Sequence, residues 1–468
     1  MLSQSKPASP LTEIPPQVAQ QVSVPRIVAM AVLLVGCAVS LLLNWPGQLS
    51  YDSVMQLHDG RAGHYNPWHP PVMAWMLGLF DSVVPGTGLF VLFDTLLFFA
   101  SFASVLWLVR WPSWLAVAIT ALSVALPQIL LYQGIVWKDV LFADAGIAGF
   151  VLLAHAAVHW RHHRRWLFLV AAFACLALAA LARQNGIVAL IFGCFALVFI
   201  ARRRGFCWLP AFGLGTGGAL AAALVLLLAN LLLATRTDDA WSAPAQIRLL
   251  QLYDLIGEVK RDPALRLETL ARANPNLVTL IRRDGVRLYT PVRNDTLVAE
   301  PHLLRAFAAT DAEVVTSQWL EVIVRHPADY FLVRAEVFRW VFLTPIIGQC
   351  MPYITGVTGP PQYMKTLDVA RPFRPQDAAL GKYAALFLST PLYSHAAYAV
   401  LALVLLVFLA WRWHPADAAI AAMLAGALVF TACFFVISIA CDYRYLIFLD
   451  LAALTALFYC ACTGIGTN

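Results

Sequence analysis

Residues 26–53 read RIVAMAVLLVGCAVSLLLNWPGQLSYDS, an almost wholly apolar run over 26–45 that breaks at Trp45-Pro46-Gly47 and reaches Asp52 a few residues later. An α-helix needs about 17–25 predominantly apolar residues to cross a hydrocarbon core of about 30 Å. The run is therefore read as a spanning helix, and the loop after it sets a carboxylate just outside the hydrocarbon. The same alternation of long apolar run and short polar turn recurs along the chain. It predicts an all-α integral membrane protein with polar residues gathered at the helix ends.

Composition agrees. Of 468 residues, 61% are hydrophobic and 12% charged, with a mean hydropathy of +0.73; soluble domains carry about 25% charged residues. The net charge of +6 does not point to nucleic acid, because the basic residues sit in short clusters beside apolar runs, where they read as topology signals. Residues 1–25 are polar and Pro- and Ser-containing, and read as a disordered cytoplasmic tail without the basic start of a cleaved signal peptide. Leu34-Val35-Gly36-Cys37 resembles a lipoprotein processing box, but the apolar run continues past Cys37 to Leu43, as an anchor would. The nine cysteines form no CxxC pair and show no metal spacing. Cys350 and Cys441 fall on the same predicted face, so a disulfide between them is open.

About ten spans are read, near 26–45, 88–109, 113–133, 139–159, 166–183, 186–201, 207–233, 390–411, 416–439 and 445–463. With a cytoplasmic N-terminus, the turns holding Arg110, Arg161, Arg164 and Arg165, Arg202–Arg204, and Arg412 all fall on the cytoplasmic side, as the positive-inside rule requires. The protein is placed in the cell (inner) membrane. It divides into an N-terminal module over 26–233, with a first loop over 46–87, an outer segment over 234–389 and a C-terminal module over 390–468. The first loop holds one short apolar helix, His69-Pro70-Pro71 through Val84, predicted to lie at the interface. Residues 234–389 contain 18 of the 32 Lys and Arg and 16 of the 26 Asp and Glu, the composition of a water-exposed, mainly helical extracytoplasmic domain. Within it, 328–348 is amphipathic; it either rests on the membrane or spans, and Arg334, Glu336 and Arg339 favour the former.

A second set of polar residues remains at the opposite helix ends. Tyr51-Asp52 and then Asp59, His64, Trp68 and His69 follow the first span. Trp137-Lys138-Asp139, Arg183-Gln184-Asn185 and Asp442-Tyr443-Arg444-Tyr445 occupy three further short turns. Each alone could be an interfacial anchor, or could balance a neighbour; four such turns on one face favour a shared cleft. Arg183, Lys138 and Arg444 suit an anion, and the phosphate of a lipid carrier is the anion most available at that depth. Asp52 and Asp139 could accept protons or orient hydroxyls. Trp68 and Trp137 could stack on a sugar or sit in the interfacial aromatic belt. His64 and His69 could bind substrate or simply pack, and His155, His159, His162 and His163 read as solvated surface. No charge pair is read at the middle of the membrane.

In their order and common sidedness these residues resemble the GT-C superfamily of membrane glycosyltransferases, which use polyprenyl-phosphate sugars. The resemblance implies inverting transfer to an extracytoplasmic acceptor, a cell-envelope glycan, lipid or protein. Asp52 would be the general base, and Arg183 with Lys138 or Arg444 would stabilise the leaving phosphate. Tyr51, His69, Trp68, Asp139, Gln184, Asn185 and Tyr445 would line the substrate site. Some members carry a second acid beside the first-loop aspartate; here Ser53 follows Asp52, and Asp59 and Asp139 are the nearest candidates. No cofactor or metal is expected, with a divalent ion as the alternative. Two other readings stay open: a transporter or flippase for a lipid-linked sugar, whose site would lie near the midplane on broken helices, and a non-catalytic assembly subunit.

Overall fold

The computed structural model describes residues 23–66, 68–234 and 243–463; the predicted tail lies almost wholly outside them. Among the described residues, nine helices are long and apolar enough to cross a membrane: α1 (Val24–Asn44), α4 (Gly88–Ser104, extended by a 3₁₀ turn to Trp107), α7 (Lys138–Val158), α8 (Arg164–Ala182), α9 (Ile187–Arg203), α10 (Trp208–Ala234), α14 (His395–Arg412), α15 (Pro415–Ile437) and α16 (Ile447–Thr463, opened by a 3₁₀ turn from Tyr443). The chain is an integral membrane protein, and among the described residues it has no β-strand, only isolated bridges.

The tenth predicted span, 113–133, is broken. Helix α5 (Trp114–Ala125) meets α6 (Pro127–Leu130) and a following turn at 66°. Pro127 has no N–H to donate and its ring crowds the preceding turn, so Leu126 is driven to an extended conformation (φ −67°, ψ 141°) and the helix axis turns.

Helix α7 forms the centre of the bundle and is buried along nearly its whole length. Its small residues permit that: a Cβ on Gly149 would stand 2.6 Å from Leu176 Cγ on α8, and one on Gly146 would stand 3.1 Å from Phe448 on α16. Helix α10, apolar on all sides, is instead mostly exposed and faces lipid. At one face of the bundle Arg26 donates to the carbonyls of Val109 and Arg110, both at 2.8 Å. Ser113 bonds Ala461 there, and Arg412 holds Asp417 and Thr463. His155 also lies toward this face, but it is buried and bonded to Ser104 rather than solvated.

The first loop holds two helices where the sequence predicts one. Helix α2 (Tyr51–Ala62) starts from a reciprocal cap between Ser50 and Ser53 and ends at Gly63 in the left-handed conformation. Helix α3 (Pro71–Val83) begins at Pro70-Pro71. They cross at Gly60 and Gly78, so closely that a Cβ on Gly60 would stand 2.1 Å from the Ala74 carbonyl. The polar, Gly-containing sequence of α2 hides it from an apolarity reading.

The outer segment 234–389 divides between two cores. Residues 252–337, with α11 (Ala243–Arg261), α12 (Ala312–Arg325) and the start of α13 (Pro327–Leu343), build a separate apolar cluster around Leu252, Ile256, Leu277 and Val322. Val341, Cys350, Leu367 and Leu380 pack on the membrane core instead. Helix α13 is not among those long and apolar enough to span. Its Arg334 is fully buried, paired with Asp254 at 2.9 Å, and donates to the carbonyls of Phe435 and Ser438 at the end of α15. A Cys350–Cys441 disulfide follows, with a Cα–Cα distance of 4.9 Å.

We expect Gly60→Ala to lower the unfolding free energy by about 1–3 kcal/mol through overpacking, measured as a fall in Tm in detergent. Gly213→Ala, on α10 with nothing within 4 Å of the added methyl, leaves Tm unchanged.

Candidate functional site

The loop after α1 is fixed on both sides by backbone hydrogen bonds. Gln48 donates to Gly134 and accepts from Val136, at 2.8 and 3.0 Å. Leu49 donates to Gly356 and accepts from Thr358, at 2.9 and 2.8 Å. Ser53 Oγ donates to the Val136 carbonyl at 2.6 Å, and the buried Trp137 indole donates to Ser50 Oγ at 3.0 Å. Asp52, in the first turn of α2, is thereby anchored to the segment that carries Lys138 and Asp139.

Three of the predicted turns meet at Arg444, and the fourth joins them through Asp139. Its Nη2 lies 2.5 Å from Asp52 Oδ2 and 3.1 Å from Asp442 Oδ2, and its Nε lies 3.6 Å from Asp139 Oδ2. Asp139 pairs on its other oxygen with Arg183. The guanidinium of Arg444 lies 4.9 Å from the Trp137 ring centre and 5.7 Å from that of Tyr445; Arg183 lies 5.3 Å from the same Tyr445 ring. Tyr445 thus sits between the two arginines, and its ring faces supply negative potential to both. Lys138 Nζ is 2.9 Å from His69 Nδ1, and His69 Nε2 is 3.8 Å from Asp52 Oδ1.

Burial alone would raise the Asp52 carboxyl pKa, but Arg444, His69 and Lys138 together carry it well below the ordinary carboxylate range. Burial and the Lys138 charge push His69 down to about 3. His69 is therefore a neutral imidazole that accepts from Lys138 at Nδ1 and carries its proton on Nε2, toward Asp52.

The remaining predicted residues are placed as follows. Asn185 has a buried side-chain nitrogen without a hydrogen-bond partner, as have the Nε atoms of Arg183 and Arg444. Gln184 is exposed and bonds Gln246 from the outer segment, which also bonds the Trp68 carbonyl. Tyr51 is 58% exposed, and His64 is exposed as well. Trp137 is 1% exposed, so it has no face for a sugar and is no belt residue; it underlies Arg444. Asp59 accepts from the Asn66 amide and holds the α2–α3 turn. Asp139, rather than Asp59, joins the cluster. Its carboxylates each face an arginine, and among the described residues no three His, Cys, Asp or Glu side chains gather to hold a metal. Arg183, Arg444 and Lys138 are the groups of this cluster whose chemistry suits an anion.

Sequence reading missed Arg293, which reaches Asp442 from the outer segment at 3.7 Å. It also missed carboxylates inside the spans, within the first turns of the helices that carry them. Asp450 is fully buried between His395 Nδ1 at 2.8 Å and the Tyr443 hydroxyl at 2.7 Å. Asp94 and Asp144 are likewise buried. The signal was present, since a lone Asp within an apolar run is costly and rare.

Two outcomes are expected from this geometry. Arg444→Met leaves Asp52 and Asp442 without their shared cation and lowers stability by about 3–5 kcal/mol, read from thermal unfolding; Arg444→Lys, which keeps the charge but lacks the fork, recovers part of it. For His69, the folded pKa lies below the unfolded value of about 6.5, so the unfolded chain binds more protons under acid conditions. Stability is therefore lost as pH falls below about 6.5, by up to about 2 kcal/mol at pH 5. The loss should be smaller in His69→Gln.

No protein-family model and no curated protein sequence matches the chain. Among solved structures it is similar to a crystal structure of the Archaeoglobus fulgidus oligosaccharyltransferase in complex with Zn and sulfate (14% identity, TM-score 0.42, 92% of this chain and 48% of that one). It is also similar to the archaeal oligosaccharyltransferase AglB from Archaeoglobus fulgidus in complex with an inhibitory peptide and a dolichol-phosphate (13%, TM-score 0.41, 92% and 50%). The chain spans about half the length of both, and likeness at this level carries no argument about its chemistry.

Proposed function

We propose that this protein is a GT-C type glycosyltransferase that moves a sugar from a polyprenyl-phosphate donor to an extracytoplasmic acceptor, with inversion at the sugar. The observation that carries the reading is the convergence of Asp52, Lys138, Asp139, Arg183 and Arg444, from four separate turns, at one end of a membrane bundle. Arg183, Arg444 and Lys138 bind the donor phosphate, and the unsatisfied Nε atoms of both arginines add donor capacity. Asp52 is the base because it is reachable: its side chain is 29% exposed, against 1% for Asp139 and 9% for Asp442.

A carboxylate paired with Arg444 is a weak base, since proton transfer is most efficient when the pKa lies near the working pH. The donor resolves this. Its phosphate competes for Arg444, and Asp52 regains basicity as the pair loosens. The acceptor oxygen attacks C1 and its proton passes to Asp52. The C1–O bond to phosphate breaks with its electrons, and the released phosphate dianion stays on the cations. The face is extracytoplasmic because disulfides persist in oxidising compartments and the basic turns crowd the opposite face.

A second reading, transport of a lipid-linked sugar, is favoured by the break at Pro127 and by the buried Asp94 and Asp144. One assay separates the two: purified protein, a polyprenyl-phosphate sugar and candidate acceptors. Asp52→Asn should lose about 10²–10⁴-fold in product formation while still binding donor. Equal turnover by wild type and Asp52→Asn sinks the base assignment; donor crossing a vesicle membrane without product supports transport.

A further inference from the structure

Asp94 on α4 and Asp144 on α7 are 1% and 0% exposed. Each stands six residues into its helix, about 9 Å below the end that bears the cluster at 1.5 Å per residue. The end of the broken helix lies against both helices. Thr95 Oγ1 donates to the Gln133 carbonyl at 3.0 Å, and Gln133 Nε2 donates to Asp144 Oδ1 at 3.2 Å. Three side-chain oxygens there are buried without a hydrogen-bond partner: Asp94 Oδ1, Asp144 Oδ2 and Gln133 Oε1. Asp144 interacts electrostatically with Asp94, and among the described residues neither carboxyl forms an ion pair with a lysine, arginine or histidine.

Two carboxylates in a low-dielectric interior cannot both stay ionised without a positive charge between them. No lysine or arginine supplies it here, and three oxygens with free lone pairs form the ligand set a small hard cation prefers. The geometry points to a buried monovalent-cation site formed by Asp94, Asp144 and Gln133, filled by Na⁺ or by a single shared proton. Either occupant ties the end of the broken helix to α4 and α7. That end leads directly into Ile135–Lys138, so the bound charge steadies the segment carrying Trp137 and Lys138. The site stands independently of the glycosyl-transfer reading.

The test uses the purified full-length protein in detergent and reads stability, not activity. Thermal unfolding is compared in NaCl, KCl and choline chloride at equal ionic strength, together with the infrared signal of protonated carboxyls. A Na⁺ site raises Tm by on the order of 2–5 °C at saturating NaCl over choline chloride, and Asp94→Asn or Asp144→Asn abolishes the rise. A shared proton gives no salt-specific shift but one protonated-carboxyl band, lost in either variant. Two independent bands, each lost only with its own aspartate, together with no salt-specific shift, overturn the site. So does the absence of both signals. The wild-type salt comparison and spectrum stand even if a variant does not fold.

Discussion

Arg444 is one guanidinium facing three carboxylates, and the arrangement of this whole end of the bundle follows from keeping it satisfied. Asp52 comes from the first loop, Asp139 from the start of α7 and Asp442 from the turn before α16. A charge taken from water into a protein interior is tolerated only with close partners and good hydrogen bonds. Asp139 reaches onward to Arg183, and the Tyr445 ring lies between the two arginines. The planar fork of arginine can serve several oxygens at once, which a lysine at the same position could not do.

That pairing needs three distant turns held in register, and the outer segment supplies the restraint. The strand-like ladder through Gln48 and Leu49 pins the first loop between Gly134–Val136 and Gly356–Thr358. Arg334, paired with Asp254, donates to the carbonyls of Phe435 and Ser438 at the end of α15, and the Cys350–Cys441 disulfide fastens the residue next to Asp442. The outer segment is therefore more than an appended domain. Part of it packs on the membrane core and sets the geometry of the turns beneath.

The same electrostatics shape the proposed chemistry. In the proposed reaction, Asp52 held by Arg444 is ionised and quiet until a competing anion arrives. Phosphate is a competitor of the right shape and charge. Activation by exchange of partners then links donor binding to base strength without any large movement of the backbone.

Much of this was legible in the sequence because the membrane imposes strict rules. Apolar runs of spanning length, basic turns on one face and ionisable residues in short turns on the other follow from the cost of charge and unsatisfied backbone in hydrocarbon. Those rules alone selected Asp52, Lys138, Arg183 and Arg444 as residues of one face. They could not show that Arg444 sits between Asp52 and Asp442, that Trp137 underlies it, or that Gly60 and Gly78 let a second helix form in the first loop. Nor could they bring Asp94, Asp144 and Gln133 to one place, since each appears as a single polar residue in its own run. Such pairings join residues far apart in the chain, and depend on helix packing, a proline break and backbone ladders. Periodicity and hydropathy are local; only the tertiary structure decides which charges share a partner.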